Sequence, residues 1–259
     1  MLKATNLSKS FKMRGGYTEI VDKVSFTVGD SETVGIVGAS GCGKSTLARM
    51  ICGTIRSDGG TIFFNGEKVI SDSGRYNPNM RRKIQLIGQQ PFLSLDGSQK
   101  IGKALVEPML RHKIAPRDEC YERAKGLLEK VWLEKDVMNM YPHELSGGMC
   151  QRVVIARALG LEPELLIADE STSMLDTSAQ AQVIRLLHQL KPSGISILFI
   201  SHDIELVEVF SDRVLRMENH KLINITTQKG VEQNEKKNSR ATNSRYGSRN
   251  TVYGLHSAG

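Results

Sequence analysis

Residues 38–45 have the residue types and the spacing of a phosphate-binding loop. The segment reads GASGCGKS and matches the pattern G-x-x-x-x-G-K-[ST] at every fixed position. Apolar residues before it suit a buried strand and helix formers follow it, so backbone N–H groups would converge at a helix start that favours anions. The pattern predicts that Lys44 reaches the β- and γ-phosphates of a nucleotide and that the Ser45 hydroxyl binds Mg²⁺. The residues that we expect to contact the phosphates or the metal are Gly38, Ala39, Ser40, Gly41, Cys42, Gly43, Lys44, Ser45 and Thr46.

Charged residues also follow two other apolar segments, at the points where buried strands would end. Asp169 and Glu170 come directly after LLIA at residues 165–168, and His202 follows ISILFI at residues 195–200. In open α/β sheets, ligands bind outside the carboxyl ends of the strands, so these side chains and the phosphate loop should share one site. Asp169 is predicted to hold Mg²⁺ directly or through water, and Glu170 to align and polarise a water for attack on a γ-phosphate.

A second glycine-rich helix start lies at residues 145–148, which read LSGG. The helix-forming segment VVIARAL comes shortly after it. By the same N–H argument, this start predicts a second anion-binding site, to which Ser146, Gly147 and Gly148 contribute. A helix start that binds no ligand is the alternative.

The length and composition of the chain favour one α/β domain. It has 259 residues, of which 39% are hydrophobic, enough for a large core with a smaller inserted subdomain. No apolar run approaches the ~20 residues of a membrane span, and the first residues contain no apolar signal segment. We therefore expect a cytoplasmic chain whose membrane role goes through a partner. The four cysteines form no C-x-x-C pair, which favours reduced thiols over a zinc site or a disulfide framework.

The net charge of +7 could indicate a nucleic-acid partner, but the location of the charge argues against one. Residues 228–259 contain six basic and two acidic residues, a net charge of +4, which leaves +3 for the rest of the chain. The positive excess therefore lies mainly in a polar tail. Because apolar residues almost vanish there, we expect residues 228–259 to be disordered and the folded domain to span residues 1–227.

The N-terminal pattern predicts a small antiparallel sheet beside a mainly parallel one. Residues 2–7 and 21–28 have the composition of strands, and Asn65-Gly66 between two short strands predicts a hairpin. Residues 8–19 are predicted to be a turn-rich loop. Two aromatic residues in that loop could stack on a nucleobase or pack internally, namely Phe11 and Tyr17.

The middle of the chain predicts a helical subdomain inserted into the core. Its predicted limits are about residues 92 and 158. Pro116 marks a helix start, and an apolar face with helical spacing follows it. The predicted fold class is therefore α/β, with a phosphate-loop core, a small N-terminal β subdomain and an inserted helical subdomain.

Together these motifs resemble those of the ATP-binding subunits of ABC transporters, over roughly residues 2–221. The LSGG segment is similar to the signature sequence of that family, which other phosphate-loop ATPases lack. The resemblance implies a subunit that binds ATP and Mg²⁺ and hydrolyses ATP with Glu170 as the base. It implies that Gln89 and His202 sense the γ-phosphate and that Gln89 also belongs to the metal site. It favours Phe11, with Tyr17 as the alternative, as the residue that stacks on adenine.

The resemblance also implies partners. In this family two ATPase subunits hold two ATP molecules head to tail, and the phosphate loop of one subunit faces the signature of the other. We therefore expect a second ATPase subunit, identical or different, which residues 173–176 would contact. Membrane-spanning permease subunits would attach the chain to the cytoplasmic face of the cell membrane, and an extracytoplasmic binding protein would act indirectly.

Two segments are similar to the oligopeptide, dipeptide and nickel importers of that family. They are GQQPFLSLD from residue 88 and LLIADESTSMLDTSAQAQVIRLL from residue 165. An exporter subunit is one alternative. An ABC ATPase of DNA repair or translation is another, although such proteins usually have two cassettes or long coiled-coil insertions. Met149, Ser171 and Gly88 depart from the family pattern, in which Gln, Pro and an aromatic residue are usual.

Overall fold

Two β-sheets form the frame of the protein in the computed structural model, which describes residues 1–13 and 15–225. The predicted disordered tail lies outside the described residues. None of the helices in the described part of the chain is long and apolar enough to cross a bilayer. In chain order, the strands are β1 (Leu2–Met13), β2 (Gly16–Val28), β3 (Thr33–Val37), β4 (Gly59–Phe64), β5 (Glu67–Lys68), β6 (Ile84–Ile87), β7 (Leu165–Asp169), β8 (Ser196–Ser201), β9 (Arg213–Glu218) and β10 (Lys221–Ile225).

The smaller sheet is antiparallel, as predicted, and its strand order is β2-β1-β4-β5. On β2, Val24, Phe26 and Val28 are buried and alternate with more exposed residues, so that one face of the strand covers the core. In the hairpin between β4 and β5, Asn65 and Gly66 have φ angles of 48° and 81°. Positive φ at both central residues is what a type I′ turn requires.

The hairpin between β1 and β2 is longer than expected. The prediction of a loop at residues 8–19 is wrong, because both strands continue through it and Met13 pairs with Gly16. Gly15 and Gly16 have φ angles of 113° and 141°, which glycine adopts without a Cβ clash. The outer half of the hairpin is half-buried or exposed, so its sequence lacks the apolar alternation that marks a half-buried strand. Phe11 therefore lies on a strand.

The larger sheet has the strand order β10-β9-β3-β8-β7-β6, and its strands are parallel except for β10. Every residue of β3, β7 and β8 is buried, as expected for strands covered on both faces. Successive residues belong to two hydrophobic clusters: Leu166 and Phe199 to one, Ile167 and Leu198 to the other. The carboxyl ends of the parallel strands meet at one edge.

Eight α-helices lie in the described part of the chain. They are α1 (Lys44–Ile51), α2 (Met80–Lys83), α3 (Pro91–Ser94), α4 (Ile101–Arg111), α5 (Arg117–Lys130), α6 (Gly147–Leu159), α7 (Thr177–Leu190) and α8 (Ile204–Phe210). Helix α5 begins directly after Pro116, as predicted. Helices α3 to α6 lie between β6 and β7 in the chain, and the limits of residues 92 and 158 for a subdomain stay a prediction.

Candidate active site

The phosphate loop connects β3 to α1 and is fitted between two other strands. Gly43 precedes α1 with φ at 111°. A Cβ on Gly43 would lie 2.5 Å from the carbonyl oxygen of Ile20 on β2, and a Cβ on Gly38 would lie 2.5 Å from that of Met217 on β9. A larger residue at either position would have to displace the backbone of β2 or β9. Because Gly43 has no capping side chain, the N–H groups of the first turn of α1 remain available to an anion.

The side chain of Lys44 lies inside this loop. It is only 3% exposed, and its Nζ donates hydrogen bonds to the carbonyl oxygens of Gly38 at 2.8 Å and Ala39 at 2.9 Å. The same Nζ lies 3.7 Å from Oε1 of Glu170. A buried ammonium group is therefore held between the loop and the end of β7, where it can meet phosphate oxygens.

Asp169 and Ser45 bring a carboxylate and a hydroxyl together beside the loop. The Ser45 hydroxyl donates to Oδ1 of Asp169 at 3.0 Å. Burial raises the pKa of the Asp169 carboxyl, the hydrogen bond from Ser45 opposes this, and the nearby charge of Glu170 adds to the rise. A buried carboxylate that is costly to ionise, next to a hydroxyl, is a donor set that suits Mg²⁺, because the cation offsets the charge.

Glu170 adopts a backbone conformation that is rare outside glycine, with φ at 48°. Its N–H donates to the carbonyl oxygen of Ile200 at 2.9 Å, and its own carbonyl accepts from the N–H and the hydroxyl of Ser173. The carboxylate lies between Lys44 and His202, whose Nδ1 is 3.9 Å from Oε1. The Glu170 side chain is 18% exposed and that of His202 is 59% exposed, so the two lie where the site opens to solvent.

The glycine-rich helix start is the beginning of α6. Ser146 precedes the helix, is exposed, and accepts a hydrogen bond from the N–H of Met149 at 3.2 Å. Gly148 packs against α7, where a Cβ would lie 2.7 Å from the Cβ of Ala179. Among the described residues, no hydrogen bond or ion pair joins Ser146, Gly147 or Gly148 to the phosphate loop. The start of α6 is therefore exposed at Ser146, and within the described residues no such bond connects it to the phosphate loop.

Gln89 lies at the same edge of the sheet as the acidic pair. It follows β6, which pairs in parallel with β7, and it is half-buried. Within residues 1–13 and 15–225, no hydrogen bond joins its side chain to Asp169 or Glu170. Direct contacts therefore connect Lys44, Ser45, Asp169, Glu170 and His202, while Gln89 is brought near through strand order alone.

The family of the chain follows from its sequence as a whole. A family model described as ABC transporter matches residues 21–173, more than half of the chain. The chain belongs to the ABC transporter family. The matched region of this ABC protein includes the phosphate loop, the signature and the acidic pair.

Two relatives of this ABC protein are import ATP-binding proteins by name. A glutathione import ATP-binding protein of Pectobacterium atrosepticum is 42% identical over 239 residues, which cover 89% of this chain and 38% of the relative. A peptide import ATP-binding protein of Brucella ovis is 44% identical over 216 residues, which cover 83% of this chain and 68% of the relative. The chain thus spans well under half of the first relative. Both names agree with the predicted resemblance to peptide importers.

Solved structures confirm the predicted fold. A dimeric ATP-binding cassette in a post-hydrolysis state, bound to ADP and Pi, has a TM-score of 0.76 and 27% sequence identity. The match covers 86% of this chain and 96% of that chain. The ABC protein therefore has the phosphate-loop ATPase fold of this cassette.

The two candidate aromatic residues lie on the β1–β2 hairpin of the ABC protein. Phe11 is half-buried and pairs with Thr18, two residues from the Ile20 carbonyl that touches the phosphate loop. The ammonium group of Lys9 lies 5.4 Å from the centre of the Phe11 ring. Tyr17 is 77% exposed near the tip of the hairpin. Phe11 is therefore on a strand whose partner contacts the loop, while Tyr17 is nearer the solvent.

Several residues of the site were not predicted, because their contacts join distant parts of the chain. Ile20 and Met217 fix the glycines of the loop, yet nothing in their own sequence neighbourhood marks them. Burial, assisted by the charge of Asp169, raises the pKa of the Cys52 thiol to about 12, so this thiol is neutral. Ser171, at the position where the family usually has Pro, is buried, and its hydroxyl has no hydrogen-bond partner among the described residues.

Proposed function

We propose that this ABC protein hydrolyses ATP with Mg²⁺ to power an importer. The proposal rests above all on one arrangement: the buried Lys44 ammonium, 3.7 Å from the Glu170 carboxylate, at the helix start of the phosphate loop. Such a site places a cation against phosphate oxygens and a carboxylate where a water can attack the terminal phosphorus. Positioning and charge stabilisation of this kind account for most of the catalysis of phosphoryl transfer.

In this proposal the loop binds the nucleotide and the carboxylates act on it. The N–H groups of α1 and the Lys44 ammonium hold the phosphates. Ser45 and Asp169 would hold Mg²⁺, and the ion, when bound, would neutralise charge on the phosphate oxygens. Gln89, at the end of the neighbouring strand, contributes to the same metal site.

Glu170 is the proposed general base. Its carboxylate orients a water and accepts one proton from it as the oxygen attacks the γ-phosphate, while the ADP oxygen leaves on the opposite side. His202 lies within 3.9 Å of that carboxylate and is more exposed, so its ring can contact the γ-phosphate from the solvent side. The hydrogen bonds that hold the backbone of Glu170 keep the carboxylate in place between Lys44 and His202.

The exposed start of α6 supports a role for Ser146, Gly147 and Gly148 in the site of a second ATPase subunit. N–H groups at a helix start favour anions, and no contact connects those of α6 to the phosphate loop of their own chain in the described residues. A subunit in head-to-tail contact would place its nucleotide there. The dimeric state of the similar cassette favours this arrangement.

The proposed partners are membrane permease subunits at the cytoplasmic face of the membrane, served indirectly by an extracytoplasmic binding protein. The names of the two relatives favour import of peptides, including the tripeptide glutathione. Nickel remains the other cargo that the sequence segments suggest.

Reconstitution tests the whole proposal. The chain would be expressed with the permeases and the binding protein encoded beside it, and uptake of labelled dipeptide, oligopeptide, glutathione and Ni²⁺ would be measured in vesicles. We expect ATP-dependent uptake of a peptide, and none when ATP or Mg²⁺ is omitted. ATP-dependent efflux would favour an exporter. ATP hydrolysis stimulated by nucleic acid and not by permeases would contradict the transport proposal.

A further inference from the structure

A histidine occupies an unfavourable position in the turn between β9 and β10. Glu218 pairs with Lys221, so Asn219 and His220 form a two-residue turn. Their φ angles are 47° and 65°. Such a turn favours Asn followed by Gly, because glycine adopts positive φ without strain. Asn219 matches this preference, but the second position holds His220 instead of glycine. We therefore expect a contact that offsets the backbone strain at His220.

The imidazole ring of His220 makes that contact. Its Nδ1 lies 3.2 Å from the carbonyl oxygen of Ile20 on β2. A carbonyl oxygen only accepts, so Nδ1 carries the hydrogen and donates it. The carbonyl of His220 in turn accepts from the N–H of Asp22 at 2.9 Å. The turn is thus attached to β2 by one backbone bond and one side-chain bond.

Ile20 connects this turn to the nucleotide site. Its carbonyl oxygen is the atom that approaches Gly43 of the phosphate loop, where a Cβ would come within 2.5 Å. Two residues earlier on β2, Thr18 pairs with Phe11. The β1–β2 hairpin therefore carries Phe11 and is held at Ile20 between the phosphate loop and His220.

We propose that His220 is a positioning residue for nucleotide binding. By holding Ile20, it fixes the β1–β2 hairpin relative to the phosphate loop. The hairpin carries Phe11, the residue predicted to stack on adenine, so His220 would affect binding of the base. The inference rests on the proposed function, since the ligand is an adenine nucleotide. No contact of His220 reaches Asp169, Glu170 or His202 among the described residues, so its loss should change affinity and leave the chemical step unaffected.

Three variants separate positioning from a structural role. His220→Gly suits the turn and removes the donor. His220→Asn tolerates positive φ and retains an N–H donor, so it should restore the contact. Lys221→Met is the matched control, because it removes the ion pair of 3.2 Å between the exposed Lys221 and the half-buried Asp22, which joins β10 to β2 without touching Ile20.

The readouts are KM and kcat for Mg-ATP hydrolysis, the Kd of Mg-ADP by calorimetry, and the melting temperature. In His220→Gly we expect KM and Kd to rise about two- to tenfold, as for the loss of one hydrogen bond. Its kcat should be unchanged and its melting temperature unchanged or higher. His220→Asn and Lys221→Met should resemble the parent. Binding of Mg-tripolyphosphate, which lacks a base, should be equal in His220→Gly and the parent.

Four results would overturn the inference. They are an unchanged KM in His220→Gly, a fall in kcat together with melting temperature, an equal loss of affinity in Lys221→Met, and a parallel loss of tripolyphosphate binding. If the parent itself neither binds Mg-ADP nor hydrolyses ATP, the proposed function fails and the inference fails with it. That result differs from the others because it appears in the parent.

Discussion

At the scale of single residues, the backbone of Glu170 determines where the proposed general base lies. A non-glycine residue with φ at 48° costs on the order of 1–3 kcal/mol. The cost is accepted because Glu170 is bonded on both sides, by its N–H to Ile200 and by its carbonyl to Ser173. The turn redirects the side chain from the sheet towards Lys44, which a regular strand continuation would not do.

The proposed role of Glu170 as the base predicts a specific defect in Glu170→Gln. The amide has the same shape but cannot accept the proton, so turnover should fall roughly 10²- to 10⁴-fold. ATP binding should be retained, since Lys44 and the loop are intact. Single-turnover hydrolysis and nucleotide binding would be measured together, with Glu205→Gln, an exposed acid on α8, as the control. A variant that hydrolyses ATP at the parent rate would exclude Glu170 as the base.

The raised pKa of Asp169 predicts that its ionised carboxylate destabilises the nucleotide-free protein, although the proposed metal site needs it. Because the folded protein favours the protonated carboxyl, the stability that this group contributes is present at low pH and is lost as the pH rises from its ordinary value of 3.8 through the raised pKa. At neutral pH, Asp169→Asn should therefore raise the melting temperature of the nucleotide-free protein. It should also remove most of the stabilisation by Mg-ATP. A lower melting temperature without ligand would contradict this account of the carboxylate.

At the scale of elements, the sequence predicts the buried strand before Asp169 and misses the outer half of the β1–β2 hairpin. LLIA before Asp169 is fully buried, so its apolar run is visible in the sequence. The outer β1–β2 hairpin is stabilised by strand pairing, and its side chains face solvent on much of its surface. Contacts such as Ile20 with Gly43 depend on which strands are neighbours, and no local pattern encodes that.

Replacement by Ala should lower the unfolding free energy by different amounts at two glycines of the N-terminal sheet. Gly66 and Gly60 have φ angles of 81° and 84°. A Cβ on Gly66 meets nothing within 4 Å, whereas one on Gly60 would lie 2.3 Å from the carbonyl oxygen of Asn6. Gly66→Ala should cost about 1–2 kcal/mol of unfolding free energy from positive φ alone. Gly60→Ala should cost about 1–3 kcal/mol more, because backbone must move.

Urea unfolding of both variants would measure these costs, and nucleotide affinity would serve as the control for the site. Equal losses of unfolding free energy would show that the clash with Asn6 relaxes without cost. The difference between the two losses measures the cost of the steric clash, because the substitution is the same and the φ angles differ by only 3°.

At the scale of the whole molecule, the proposed function makes the site incomplete in one chain. Contacts connect Lys44, Ser45, Asp169 and Glu170, while Gly147 is half-buried at a separate helix start, next to the exposed Ser146. A Cβ on Gly147 would lie 3.6 Å from Leu175, an ordinary contact, so the position accepts a side chain. A substitution there can therefore change the exposed surface without disturbing the fold.

Gly147→Asp tests whether this helix start serves a partner. A negative charge at the start of α6 suits the helix itself but repels an approaching phosphate. Each subunit should still bind ATP through its own loop, while closure of the ATP-bound dimer and hydrolysis should be lost. Gly147→Ala, which adds a Cβ without charge, is the control. Loss of ATP binding by the isolated Gly147→Asp chain would mean that α6 serves its own site.

If two copies of this chain pair, mixing subunits of two variants tests the head-to-tail arrangement directly. Lys44→Ala alone should weaken nucleotide binding, because it removes a phosphate contact. A dimer of one Gly147→Asp subunit and one Lys44→Ala subunit has one composite site with an intact loop and an intact signature, and one site damaged in both. We expect that dimer to trap ATP beyond what either variant traps alone. If the chain pairs only with a different ATPase, the two substitutions belong on opposite partners. Two damaged chains can complement each other only when a site takes residues from both. A failure to trap ATP would therefore contradict the head-to-tail arrangement, whether the chain pairs with a second copy or with a different ATPase.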